Sequence, residues 1–236
     1  MARIERAAAA AGRSAASVRL LAVSKTHPAE LLAEAFRAGQ PAFGENYVQE
    51  AVHKMDALAR SLGGESVRAL EWHLVGPLQS NKTRLAAQRF DWVHTIGAER
   101  TARRLSEQRP AALPPLNVLI QVNSSAEASK SGLAAQYVPA LARTVSGLAH
   151  LRLRGLMSIP EPARDRQVQR ARFRPVRELF ERLREELIGQ GAQGLAFDTL
   201  SLGMSDDLEA AIAEGSTLVR VGTAIFGERR SERNAA

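Results

Sequence analysis

The chain has 236 residues, 45% of them hydrophobic, which is enough for one large α/β domain or two small ones with a real core. It contains no cysteine, which excludes disulfides, thiolate metal sites and a cysteine nucleophile. A formal charge of +7 raises the question of nucleic-acid binding, but the arginines alternate with acids and aromatic residues make up only 5%. No apolar run approaches the roughly 18 residues of a membrane span, and the N-terminus lacks the apolar core of a signal peptide. We therefore expect a cytoplasmic protein with neither nucleic acid nor membrane as a partner.

Apolar runs alternate with helical patterns along the whole chain. The predicted strands cover residues 18–24, 41–43, 69–75, 90–95, 116–122, 151–156, 197–201 and 218–221. The predicted helices cover residues 2–11, 29–37, 48–61, 81–89, 98–108, 134–146, 164–188 and 206–214. A final turn follows at 222–226, and residues 228–236 form a polar tail after it.

This alternation requires parallel strands joined by helical crossovers. Eight such units in a chain of this length predict a single (β/α)₈ TIM barrel, with residues 1–236 as one domain and residues 1–12 as its N-terminal helix. The alternative is a doubly wound open sheet. That fold needs a glycine-rich phosphate loop after its first strand, and residues 24–28 contain no glycine.

Lys25 ends the first apolar run, and Pro28 and a helical pattern follow it. In a barrel, this position lies at the carboxyl end of a strand, where the active-site mouth opens. A lysine between apolar walls loses its proton easily and becomes an amine nucleophile that attacks carbonyl groups. On this stretch alone a solvated loop lysine is the more common interpretation.

The loops after the last two strands carry groups that suit a phosphate. The first loop contains Gly203, Met204 and Ser205, with Ser205 as a candidate helix N-cap, and the second contains Gly222 and Thr223. A plain N-cap would explain Ser205 equally well by itself. Two such loops in neighbouring positions of a barrel favour phosphate binding.

Arg220 interrupts the apolar eighth strand, and we expect it to point into the barrel mouth. The alternative is a structural salt bridge. A lysine nucleophile, two phosphate loops and an arginine together describe a site for a phosphorylated aldehyde, and pyridoxal 5′-phosphate (PLP) fits that description. A cationic arginine beside the ring nitrogen would keep that nitrogen unprotonated and make the ring a poorer electron sink.

Six longer motifs occur in order along the chain: LLAVSKT at 20–26, FGENYVQE at 43–50, WHLVGPLQSNK at 72–82, GLM at 155–157, LSLGMSDD at 200–207 and GSTLVRVGTAIFG at 215–227. By these motifs the chain resembles the pyridoxal phosphate homeostasis proteins, a YggS-like group related to the N-terminal barrel of alanine racemase. The resemblance covers nearly the whole chain.

The resemblance implies a cofactor site formed by Lys25, Asn46, His73, Met157, Met204, Ser205, Arg220, Gly222 and Thr223. Lys25 would form the internal aldimine, and Arg220 would lie near the pyridine nitrogen. Asn46 would line the cofactor, and the two predicted loops would hold its phosphate. His73 and Met157 would occupy the barrel mouth near the ring.

The resemblance also implies a function. Such proteins bind PLP, have no established catalytic activity, influence vitamin B6 and amino-acid pools, and are commonly monomeric. We therefore expect no catalytic residue and no metal, and PLP-dependent apo-enzymes are candidate partners that receive the cofactor.

Three alternatives remain open from the residues. An amino-acid racemase of low activity needs a second acid/base on the opposite face of the ring, and the tyrosines are Tyr47 and Tyr137. A Schiff-base aldolase without cofactor and a nucleic-acid binder are the other two. Lys82 and Lys130 could hold a second, non-covalent cofactor molecule, although solvated loop lysines are more common.

Overall fold

Eight parallel strands close into a barrel in the computed structural model, which describes residues 1–124, 131–189 and 196–227. The barrel strands are β1 Arg19–Val23, β2 Ala42–Glu45, β3 Glu71–Leu74, β4 Trp92–Ile96, β5 Leu116–Asn123, β7 Leu151–Met157, β8 Thr199–Ser201 and β9 Leu218–Val221. A short extra strand, β6 at Leu133–Ala134, pairs with the end of β5.

Helices follow most of the strands. They are α1 Ala2–Ala10, α2 Ala29–Arg37, α3 Val48–Leu62, α4 Gly64–Arg68, α5 Thr83–Arg89, α6 Glu99–Gln108, α7 Val138–Ser146, α8 Arg166–Gly189, α9 Leu208–Ala213 and α10 Thr223–Phe226. None of the helices in the described ranges is both long enough and apolar enough to span a membrane.

The barrel closes through the pairing of β4 with β5 and of β1 with β9. Each strand pairs in parallel register with its neighbour, for example Ala22 with Val221 and Ala22 with Phe43. The predicted (β/α)₈ barrel is confirmed, and the open doubly wound sheet is wrong because both edges of the sheet are paired. The assignment of residues 1–236 to one domain stays a prediction.

The core lies mainly between the outer face of the barrel and the helices. Phe43, Val93, Val118 and Leu156 are fully buried strand residues in the same apolar cluster as helix residues such as Leu105. Burial of β5 over nearly its whole length explains why that strand is an almost continuous apolar run rather than an alternating one.

The predicted boundaries differ from the structure in a few places. The helix expected from residue 134 starts as a 3₁₀ turn, Ala135–Tyr137, and α7 begins after it. The two-residue β6 was not predicted, since two residues carry no periodicity. Lys130 and the predicted tail at 228–236 lie outside the described residues.

Candidate functional site

A cavity of about 510 Å³ opens at the carboxyl ends of the barrel strands. Seven of the nine residues predicted for the site line it: Lys25, Asn46, Met204, Ser205, Arg220, Gly222 and Thr223. Barrel enzymes place their reactive groups at this same carboxyl-terminal side of the barrel. The loops singled out in the sequence therefore meet at one cavity, and the cofactor roles of these residues stay predictions.

Lys25 reaches the cavity because of the alternation of the chain at the end of β1. Val23 and Lys25 both line the cavity, whereas Ser24 between them is fully buried. The hydroxyl of Ser24 donates a hydrogen bond to Glu45 Oε1 at 2.6 Å. The strand ends in a turn in which the backbone N–H of His27 donates to the carbonyl of Ser24 at 3.0 Å.

Gly222 allows the loop after β9 to approach the end of β1. A Cβ atom at residue 222 would lie 3.0 Å from the carbonyl oxygen of Val23, which is tighter than ordinary van der Waals contact. A larger residue would push the loop away from the neighbouring strand. The glycine therefore places Thr223, the first residue of α10, on the same cavity wall as Lys25.

Ser205 lines the cavity but does not cap a helix as predicted. Helix α9 begins only at Leu208, and Asp207 is its N-cap residue. The Asp207 carboxylate instead folds back and accepts a hydrogen bond from the Met204 backbone N–H at 2.6 Å. Because Asp207 ties down the loop in this way, the helix starts later than the sequence suggests.

Arg3 of α1 fastens the same loop from outside the barrel. Its guanidinium donates to the Ser205 carbonyl at 2.9 Å and to both carboxylate oxygens of Glu209 on α9, each at 2.9 Å. The N-terminal helix thus supports the loop that carries Ser205.

Arg220 is buried and lies at the bottom of the cavity. Its guanidinium donates to the carbonyl and the hydroxyl of Ser201, at 2.8 and 2.6 Å, and to the carbonyl of Ser158 at 3.0 Å. None of the ion pairs between described residues involves Arg220, so the alternative of a structural salt bridge is not observed. Burial lowers the pKa of Arg220 to about 10, against the opposing charge of Asp207, and the group stays cationic at neutral pH.

His73 and Met157 do not lie at the barrel mouth, contrary to the prediction. Both are fully buried, and neither lines the cavity. Met157 packs with Trp92 and Leu119 inside the barrel, and the His73 ring stacks on Trp92 with ring centroids 5.1 Å apart. The sequence showed that these residues belong to strands but not how deep in the barrel their side chains lie.

A chain of polar side chains crosses the barrel interior beneath Arg220. His73 Nε2 lies 2.6 Å from Glu71 Oε1, His73 Nδ1 lies 2.9 Å from His94 Nε2, and His94 Nδ1 lies 3.5 Å from the Ser201 hydroxyl. Burial would raise the pKa of Glu71, but the hydrogen bonds from His73 and Arg19 and the positive charge of Arg19 outweigh it and hold that pKa at about 2.

Both histidines of this chain are neutral at neutral pH. Burial lowers the pKa of His73 despite the nearby Glu71 carboxylate, and burial lowers the pKa of His94 still further. A neutral His73 that donates to the ionised Glu71 must accept at Nδ1, so His94 donates there. The chain therefore links the buried arginine to a carboxylate at the opposite end of the barrel.

Sequence reasoning missed several residues of the cavity wall. Thr95, Gln121 and Ile159 line it, and the Thr95 hydroxyl donates to the Gly76 carbonyl at 2.9 Å. Position in the sequence could have indicated two of them, since Thr95 and Gln121 lie at or near the carboxyl end of a predicted strand. Lys82 ends a 3₁₀ turn and does not line this cavity. No cluster of three potential metal-ligating side chains occurs among the described residues.

Fold and site together define a (β/α)₈ barrel protein with a lysine at its mouth. The family model for the alanine racemase N-terminal domain matches residues 1–230. The pyridoxal phosphate homeostasis protein of Vibrio cholerae is 56% identical over 99% of this chain and 95% of its own length. Its counterpart in Pseudomonas aeruginosa is 56% identical over 97% of this chain and 92% of its own length.

A solved structure of PipY from Synechococcus elongatus with PLP bound superposes with a TM-score of 0.78 at 36% identity, covering 95% of this chain and 99% of PipY. The chain therefore belongs to the alanine racemase N-terminal domain family and, within it, to the pyridoxal phosphate homeostasis proteins. The predicted family is confirmed.

Proposed function

We propose that this chain binds PLP in the cavity at the barrel mouth, as a Schiff base on Lys25, and takes part in intracellular vitamin B6 and amino-acid homeostasis without catalytic turnover. The observation that carries the proposal is the convergence of Lys25, Ser205, Thr223 and Arg220 on one cavity. The PLP-bound structure of PipY, a relative with the same fold, supports it.

The donor set fits the proposed cofactor. Lys25 supplies an amine for an aldehyde, while the hydroxyls of Ser205 and Thr223 supply hydrogen bonds for a phosphate. Arg220 adds a positive charge that cannot be removed near neutral pH. A cavity of about 510 Å³ is within the range of pockets that hold molecules of this size.

Attachment of PLP to Lys25 would require the lysine amine and the aldehyde of PLP. The neutral amine of Lys25 donates its lone pair to the aldehyde carbon, a C=N bond replaces the C=O bond, and one water molecule leaves. PLP, when bound, would supply an electrophilic aldehyde and a conjugated ring. Arg220, whose guanidinium is fixed by Ser158 and Ser201, would hold the ring nitrogen unprotonated and so weaken the ring as an electron sink.

A non-catalytic role is proposed because neither tyrosine is placed to act as a second acid/base group in the cavity. A two-base racemase needs a second proton-transfer group on the opposite face of the ring. Tyr47 and Tyr137 are 58% and 57% exposed, and neither lines the cavity. We therefore expect no sustained amino-acid turnover, and racemisation that disappears in Lys25→Ala would favour the racemase alternative instead.

Absorbance tests the binding proposal directly. Addition of PLP to the purified chain should produce an imine absorption band, and Lys25→Ala should abolish it. Lys82→Ala is the matched control and should retain the band, because Lys82 lies outside the cavity. A band that persists in Lys25→Ala would refute the assignment of Lys25.

The biological role that we propose extends beyond binding. The chain would act as a monomer that holds PLP and passes it to PLP-dependent apo-enzymes. Incubation of the loaded chain with such an apo-enzyme should restore the activity of that enzyme faster than the measured release of free PLP allows. Restoration no faster than release would refute direct transfer.

A further inference from the structure

A buried polar cluster lies directly behind Lys25, on the side away from the cavity. Lys54 of α3 donates from Nζ to Glu45 Oε1 and to Glu50 Oε1, each at 2.7 Å. The Lys54 side chain is 8% exposed, and the Glu45 side chain is fully buried. Neither Lys54 nor either carboxylate lines the cavity, so the cluster does not belong to the ligand-contacting wall.

The cluster holds the backbone on both sides of Lys25. Lys54 Nζ donates to the carbonyl of Ser24 at 2.8 Å, which is the residue before Lys25. Glu50 Oε1 accepts from the backbone N–H of Thr26 at 2.5 Å, which is the residue after it. One ion pair on a single helix therefore fixes both peptide groups that flank the lysine.

The backbone at this point needs such support. Thr26 has a φ of +66°, and it is the one residue other than glycine in the described ranges with a positive φ. A β-branched residue in the left-handed region is strained, and such strain persists only when surrounding contacts hold it in place. The hydrogen bond from Thr26 to Glu50 is one of the contacts that hold this turn, together with that of Lys54 to the Ser24 carbonyl.

Stability alone does not account for this arrangement. A buried ion pair is costly to desolvate, and apolar residues of similar size often stabilise a protein as well or better. Here burial raises the pKa of Glu45, against the nearby Lys54, and the Glu45 Oε2 atom has no hydrogen-bond partner among the described groups. A cluster with this cost that also fixes two specific peptide groups is suited to positioning.

We propose that Lys54 and Glu50 are positioning residues that set the direction of the Lys25 side chain by clamping the turn that carries it. This inference rests on the proposed function, in which Lys25 is the point of cofactor attachment. Small displacements of a nucleophile lower its reactivity greatly, so a loosened turn impairs imine formation more than it impairs binding of the rest of the ligand.

The test compares Glu50→Ala with Glu50→Gln. Alanine removes the acceptor for the Thr26 N–H, whereas glutamine keeps an acceptor oxygen at the same reach. The Glu50 side chain is 27% exposed, so both variants are expected to fold. Asp56→Ala is the matched control, because it breaks an ion pair of the same helix with Arg89, away from Lys25.

Two ligands separate positioning from general damage. The rate of imine formation with PLP should fall on the order of tenfold in Glu50→Ala and change by less than about twofold in Glu50→Gln and Asp56→Ala. The affinity for pyridoxine 5′-phosphate, which has an alcohol in place of the aldehyde, should stay within about twofold in all of them.

Unchanged imine formation in Glu50→Ala would overturn the clamp, and so would equal losses with both ligands. If Glu50→Ala does not fold, Glu50→Asp gives the same test, since it keeps the charge but shortens the reach to Thr26. Mapping of the modified lysine keeps the two proposals apart. Attachment at a lysine other than Lys25 refutes the proposed function, whereas attachment at Lys25 with unaltered rates refutes the clamp only.

Discussion

At the scale of single residues, the environment of each ionisable group decides its role. Arg220 is held by neutral oxygens of Ser158 and Ser201 and therefore keeps its charge available to a ligand. His94, deeper in the barrel, is fully buried, and burial together with the charge of Arg220 lowers its pKa well below its ordinary value. The same barrel interior thus holds a cation at its mouth and neutral imidazoles beneath it.

This difference predicts how stability depends on pH. Because the folded state disfavours protonation of His94, the unfolded state binds more protons once the pH falls below about 6.5. The stability that a neutral His94 retains is fully present above that pH and is lost as the pH falls further. The free energy of unfolding should therefore decrease from about pH 7.5 to about pH 5.5, which is one unit either side of the ordinary value.

Urea unfolding of the wild type and of His94→Gln at several pH values checks this expectation. Glutamine does not titrate, so the variant should lose less stability than the wild type over the same interval, whatever its stability at neutral pH. Equal pH slopes for the two proteins would contradict a neutral, buried His94.

At the scale of elements, the N-terminal helix supports a loop of the cavity. Arg3 of α1 connects the Ser205 carbonyl with Glu209 of α9. Along the chain, Ser205 precedes the start of α9 and Glu209 lies within its first turn. One guanidinium therefore holds the loop against the helix that follows it. The sequence placed α1 as a separate element and gave no indication of this contact.

Arg3→Ala should weaken the binding of PLP by about threefold to tenfold, which corresponds to the loss of about one hydrogen bond to a loop that contacts the ligand. A fluorescence titration measures the affinity. Arg103→Ala is the control, since Arg103 forms an exposed ion pair with Glu99 on α6, away from the cavity. Equal affinities for wild type and Arg3→Ala would show that α1 does not support the site.

The elements and the cavity wall were predictable to different degrees. Mainly apolar segments alternate with helical patterns, so the eight barrel strands and the position of Lys25 after the first of them followed from pattern alone. Depth inside the barrel did not follow, which is why His73 was placed at the mouth. The contacts of Lys54 with Ser24 and Glu45 join separate elements, and no sequence period records such contacts.

At the scale of the whole molecule, acids hold several of the arginines that give the chain its positive charge. Glu214 is fully buried and forms ion pairs with three arginines of α8, at 2.8 Å to Arg170, 3.1 Å to Arg177 and 3.6 Å to Arg174. Arg143 similarly pairs with Glu186. These ion pairs fasten the long helix to its neighbours, so the arginines that form them have a structural role in the fold.

We therefore predict that the chain does not bind nucleic acid despite its formal charge of +7. The purified protein should pass through a column of immobilised double-stranded DNA at about 0.15 M salt, where sequence-independent binders with many phosphate contacts still bind. Retention that decreases steeply with added salt would contradict this prediction, since it would indicate a basic surface that binds phosphates.

Labelling of the lysine tests directly whether PLP attaches to Lys25 in the cavity at the barrel mouth. Reduction with borohydride converts an imine into a stable secondary amine, so digestion and mass spectrometry identify the modified lysine. We expect the pyridoxyl label on the peptide that contains Lys25, and we expect Lys25→Ala to carry none at stoichiometric PLP. A label on Lys54, Lys82 or Lys130 in place of Lys25 would contradict it.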